Sequence, residues 1–199
     1  KARRVWVFDR GIISEDNLAA LRRRGGQYLA GTPRSKLKQF EKQILDGEWS
    51  RIRPDVEVQR VATPSGEETY ILCRSTGRKE KETAMRGRFS ASMEKALGKL
   101  EKRVASGKLK DRMKIERALG RIQARHPSVV DLYRIAVREE SGALRLDWEL
   151  IEDRRKWRDA REGAYLLRTN LKEENPEVLW TKYIQLTEAE AAFRALKTE

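Results

Sequence analysis

The sequence predicts an α/β protein: a mixed sheet with flanking helices, its chain interrupted by a large insertion of hairpins and basic helices. Three observations predict it. A strand, helix, strand succession occupies the first 31 residues, an apolar run followed by a long helix closes the other end, and a strongly cationic helical block lies between them. Short continuous apolar runs mark buried strands, whereas recurrence every three to four residues marks helices.

Val5-Trp6-Val7-Phe8 is a run of the first kind, ended by Asp9-Arg10-Gly11. Ser14-Glu15-Asp16-Asn17 then opens a helix, with a capping hydroxyl followed by acids in the first turn. Leu18 and Leu21 are three apart on that helix, Gly25-Gly26 stop it, and Tyr28-Leu29-Ala30-Gly31 supplies the second strand beside the first. Lys36 to Leu45 reads as a short helix. Val56 to Val61 and Thr69 to Leu72 flank Pro64-Ser65-Gly66 as a hairpin. From Arg78 to Arg125 the chain is mostly helical: Met93, Leu97, Leu100 and Val104 share one face, Ser106-Gly107 break the run, and Ile115, Leu119 and Ile122 resume it. Tyr133 to Val137 and Leu144 to Trp148 alternate around Ser141-Gly142 as a second hairpin, and Glu149 to Arg158 forms a short charged helix. Ala164-Tyr165-Leu166-Leu167 is another buried strand. Asn175-Pro176-Glu177 supplies an N-cap, a proline at the first helical position and a first-turn acid, so the last helix runs from there nearly to the C-terminus.

With 199 residues, 39% of them apolar, the chain has enough material for a core. Lys and Arg number 44 against 31 Asp and Glu, a net charge of +13, which makes a polyanion the first expected partner. Residues 78–125 hold 16 of the cations and only 6 of the acids, so most of the excess sits there. Cys73 is the single cysteine, which excludes a disulfide framework and a cysteine-rich zinc site and fits a reducing cytosol. The single histidine, His126 before Pro127, excludes a histidine-rich metal site and reads as a surface loop residue. Trp148 and Trp157 are expected in the insertion's own core. No apolar run approaches the length of a membrane span, and the expected setting is cytoplasmic. Because the chain opens on Lys1 and enters a strand within a few residues, it is expected to be a segment of a longer protein.

Chemistry concentrates at the two ends. In the last helix Tyr183, Glu190 and Lys197 are seven apart, and each step of seven turns only about −20°, so the three share a face. An acid among Leu186, Phe193 and Leu196 needs a cation or hydrogen bonds if it is buried. Asp9 stands at the C-terminal end of a strand.

Val7-Phe8-Asp9-Arg10-Gly11-Ile12-Ile13-Ser14, continuing through Asn17-Leu18-Ala19-Ala20-Leu21 to Tyr28-Leu29-Ala30-Gly31, resembles the segment around the second catalytic Asp of DDE transposases of the insertion-sequence-four type. Gly163 to Asn170, then Leu179-Trp180 and Tyr183 to Lys197, resembles that family's strand and helix bearing the catalytic Glu. The family signature on the helix is Tyr, two residues, Arg, three residues, Glu, six residues, Lys. Tyr183, Glu190 and Lys197 match it, while Leu186 stands at the Arg position, leaving Gln185 and Arg194 as the nearby candidates for that phosphate contact. The likeness covers about 70 residues at the two ends and implies a division into 1–48 for the first part of the catalytic domain, 49–160 for an insertion and 161–199 for the last part with the Glu-bearing helix; the middle corresponds only in being an insertion.

The resemblance implies a ribonuclease-H-like fold in which Asp9 and Glu190 are catalytic acids and ligands of two Mg²⁺ or Mn²⁺ ions. It implies that Arg10, Tyr183, Lys197 and Arg194 contact DNA, with transposon ends and target as substrates and a bacterial homodimer as the working form. Paired hard cations held by carboxylates activate the attacking oxygen and stabilise the leaving one. The triad's first Asp is expected upstream of Lys1, so this segment alone is expected to be inactive. The helices of 78–125 are expected to follow the DNA backbone without reading sequence. Two expectations from other classes compete with this one: a non-catalytic nucleic-acid-binding remnant, and a helical interaction module whose charge serves solubility.

Overall fold

The computed structural model describes residues 4–9, 14–63, 66–140, 142–173 and 175–196. The chain divides into two compact units, 1–79 with 163–199, and 80–162. The hairpin turns placed at Pro64-Ser65 and at Ser141 lie outside the described residues.

The first unit is a mixed α/β sheet with helices on both faces. Its elements are β1 (Val5–Phe8), α1 (Glu15–Arg23), β2 (Gln27–Gly31), a 3₁₀ turn at Arg34–Phe40 leading into α2 (Glu41–Asp46), β3 (Ser50–Arg53), β4 (Val56–Ala62) and β5 (Thr69–Ser75). After the second unit the chain returns as β8 (Ala164–Thr169) and α6 (Pro176–Leu196). The strand order is β1-β2-β8-β5-β4-β3; β1 and β2 are parallel, and every other pair is antiparallel.

Side chains alternate across a strand, and here both faces are covered, so the central strands read as continuous apolar runs. Leu29, Ile71, Cys73 and Leu167 face α6, where they meet Leu179 and Tyr183. Tyr28 and Ala30 face the other way and pack with Leu18 of α1. Ser14 caps α1 by accepting from the Asn17 amide at 3.2 Å, and Asn175 caps α6 by accepting from the Glu177 amide at 2.9 Å.

The strands near 56–75, expected in the insertion, belong to this sheet instead: β5 pairs with β8 from Thr69 to Arg74. Alternation reveals a hairpin but not the sheet it joins; here the full burial of Ile71 and Cys73 on one face and of Leu72 on the other requires cover on both faces of the strand. β3 was not foreseen, because Ser-Arg-Ile-Arg lacks an apolar alternation, as suits an edge strand that must resist further pairing.

The second unit comprises most of α3 (Thr76–Ala105), then α4 (Arg112–Arg125), β6 (Tyr133–Glu140), β7 (Ala143–Leu150) and α5 (Glu152–Arg161). It has its own core, in which Met93, Leu97 and Leu100 of α3 meet Ile115 and Leu119 of α4 and Leu146 of β7. The β6–β7 hairpin packs one face on the helices. Its other face carries the cross-strand ion pairs Arg134–Glu149, Arg138–Asp147 and Arg145–Glu140. Trp148 is half-buried against that core and donates to Glu101 at 3.1 Å; Trp157 is half-buried beside Arg161. His126 is not a surface loop residue. It ends α4 in a buried position, with Nδ1 2.9 Å from the Ile122 carbonyl and Nε2 3.1 Å from Ser92 Oγ. No described helix is long and apolar enough to cross a membrane.

Candidate functional site

Asp9 follows the last residue of β1, at the carboxyl end of the parallel β1–β2 pair, where open α/β sheets characteristically bind their ligands. The register sets Phe8 against Ala30, so Asp9 leaves the sheet level with Gly31. It is half-buried.

α6 packs on β1, β2 and β4. Leu179 and Tyr183 are buried on its inner face, with Trp180 and Ile184 partly buried beside them. From there the Tyr183 hydroxyl donates to Asp9 Oδ1 at 3.3 Å. Two residues 174 positions apart, each singled out from sequence for a separate reason, thus meet at one place.

Glu190 lies on the same face of α6 as Tyr183, about 10.5 Å farther along the axis. It is exposed, as are Gln185 and Arg194, while Leu186 is half-exposed. The apolar surroundings expected for Glu190 are therefore not present: burial on α6 ends at Tyr183, and Phe193 and Leu196 are 67% and 70% exposed. Arg10 and Lys197 lie outside the described residues.

The donor chemistry of Asp9 and Glu190 suits a hard divalent cation, which takes oxygen ligands. Among the described residues no three His, Cys, Asp or Glu side chains gather to form a complete metal site. Of the two acids that the resemblance names as ligands, Asp9 sits against Tyr183 and Glu190 lies about two turns farther along α6.

Two groups that sequence reasoning missed hold the site's framework. Thr169 donates to the Tyr28 carbonyl at 2.6 Å, and Asn170 accepts from the Tyr28 amide at 2.8 Å while donating to the Gly26 carbonyl at 2.9 Å. These bonds fasten the start of β2, and hence the strand beside β1, to the end of β8. On the α1 face Arg168 bridges Glu15 at 2.7 Å and Glu68 at 2.6 Å, and Glu68 also meets Arg22 and the Tyr28 hydroxyl. Burial alone would lower the Arg168 pKa, but the two carboxylates outweigh it and raise it further. Arg168 in turn holds the Glu15 carboxyl below the usual carboxylate range. The signal available in the sequence was the Arg168-Thr169-Asn170 triplet directly after the apolar run Ala164 to Leu167.

No family model matches the chain, and no curated protein or solved structure matches it either.

Proposed function

We propose that the first unit is part of a metal-dependent enzyme that acts on phosphodiesters in nucleic acid. Within that class, the reading the residues support best is a DDE transposase of the insertion-sequence-four type, with a ribonuclease-H-like sheet domain interrupted by the second unit.

The observation that carries this reading is the hydrogen bond from Tyr183 to Asp9. The two segments that resemble the family lie at opposite ends of the chain; the pairing of β2 with β8 and the packing of α6 on β1 bring them together, and the hydrogen bond joins two of the positions the resemblance names. Asp9 at the end of a strand and Glu190 on the facing helix supply acids of the kind that hold Mg²⁺ or Mn²⁺. When bound, such cations activate the attacking oxygen of water or a 3′-hydroxyl and stabilise the leaving oxygen. Tyr183 fixes the Asp9 carboxylate from the helix side, and Thr169 and Asn170 hold the strand beside it. The reading makes DNA ends the substrate.

The test uses the full-length protein with duplexes carrying its transposon ends and Mg²⁺. Asp9→Ala and Glu190→Ala are each expected to abolish cutting while leaving the thermal transition in place. Cutting retained by either variant would overturn the assignment.

A further inference from the structure

Helix α3 carries a row of cations that no feature of its own unit explains. Lys81, Arg88, Lys95 and Lys102 recur every seven residues, and Lys99 lies among them. At about 10.5 Å and −20° per step, the row extends for about 31 Å with a slow drift around the helix. All five are exposed, and none joins an ion pair among the described residues. The contrast is with the outer face of the β6–β7 hairpin, where the arginines are each matched to a carboxylate.

Of the four acids on α3, Glu80, Glu82, Glu94 and Glu101, the last two are held off this face. Glu94 accepts from the Tyr133 hydroxyl at 2.6 Å and Glu101 from the Trp148 ring nitrogen at 3.1 Å, so both are turned towards the hairpin. The apolar positions Met93, Leu97, Leu100 and Val104 are buried in the unit's core, on the side of the helix away from the row. What the row presents outward is a slowly drifting line of cations without ion-pair partners among the described residues, beside the exposed apolar side chains of Met85 and Phe89. Holding five cations in one row costs mutual repulsion, which a polyanion relieves. Double-stranded nucleic acid presents one phosphate charge per about 1.7 Å of axis on a stiff rod, which matches a stiff row better than a flexible partner does.

We infer that the Lys81–Lys102 face of α3 is a docking surface for the backbone of double-stranded DNA, binding without regard to base sequence. The preference for DNA as the source of the phosphates rests on the transposase reading; the docking of a duplex backbone on this face does not.

The experiment measures binding of the whole chain to a random-sequence DNA duplex in EDTA, so that failure of the metal chemistry leaves the result intact. The variant is Arg88→Gln with Lys95→Gln and Lys99→Gln, exposed sites where glutamine is as good a helix former as the residues replaced. The control is Arg134→Gln with Arg138→Gln and Arg145→Gln, which removes the same charge from the same unit. Circular dichroism checks that both fold. Binding by the variant is expected to fall by about a hundredfold at about 0.1 M salt, and the slope of log K against log salt to shrink by about 2.7. The control is expected to bind within about threefold of the parent, since its arginines make no phosphate contacts. Equal losses in the two would assign binding to net charge and overturn the proposal. So would a duplex that binds the variant as it binds the parent, or a parent that binds phosphatidylserine vesicles and not DNA.

Discussion

Tyr183 packs its ring among Leu179, Leu29 and Leu167 and spends its hydroxyl on Asp9, so its two ends have separable consequences. Tyr183→Phe keeps the ring and is expected to cost about 1 kcal/mol, the net worth of one hydrogen bond; Tyr183→Ala is expected to cost about 3–5 kcal/mol through the cavity it leaves. Urea unfolding measures both: no loss in Tyr183→Phe would show that the hydroxyl contributes nothing, and equal losses that the ring adds nothing beyond it. In the second unit Glu162, 4% exposed, receives Arg86 at 2.6 Å and Thr83 at 2.6 Å. Burial pushes its carboxyl up, but the Arg86 and Thr83 hydrogen bonds prevail and leave it below its ordinary value of 4.5. Its stabilising contribution is therefore complete above pH 4.5 and disappears as the pH falls through the lower folded value. Glu162→Gln is expected to be less stable than the parent by about 3 kcal/mol at pH 7, as befits a broken, largely buried pair. The gap should close on acidification in a series of urea titrations; a gap independent of pH would mean that the charge is not what stabilises.

At the scale of elements, the return from α5 to β8 depends on Gly163. Its φ of +76° is costly for other residues, and a Cβ there would stand 2.6 Å from the Ser75 carbonyl oxygen and 2.9 Å from the Lys79 amide. The contact is tight because the Ser75 amide donates to the Gly163 carbonyl at 3.1 Å, which draws the two chain segments together where the second unit leaves the sheet. Gly163→Ala is expected to lower stability by about 2 kcal/mol or more, read as a reduced thermal midpoint. α6 shows the converse. Its first turns are anchored by a capped N-terminus and two buried side chains, while its last three turns hold no buried residue. The seven-residue spacing of Tyr183 and Glu190 was legible in the sequence because it needs only helical geometry. That burial on the helix ends at Tyr183 was not legible, because the apolar residues Phe193 and Leu196 read as a continuing core face.

At the scale of the molecule, the chain holds two separate cores, and each answers to its own mutations. Leu97→Ala, in the second unit, is expected to cost about 2–5 kcal/mol. Hydrogen exchange should locate that loss in β6 and β7 and leave β5 and β8 as protected as before, since cooperative units open separately. Faster exchange throughout would instead indicate one cooperative core. The division also separates the two functional proposals: metal chemistry resides with Asp9 and Glu190 in the sheet unit, and duplex docking with the outer face of α3 in the other.

By itself the sequence determined the α/β class, most of the elements and the cationic character of the middle block, because periodicity, capping residues and charge counts are local properties. It also singled out Asp9 and Tyr183. Only the tertiary structure decided that these two meet, that β4 and β5 complete the main sheet and that Glu68 pairs with Arg168 across 100 positions. Only the tertiary structure showed which face of α3 remains outward, too. Pairing between distant strands and the direction of a helix face depend on which apolar surfaces find each other, and that is settled by burial over the whole chain, not by any window along it.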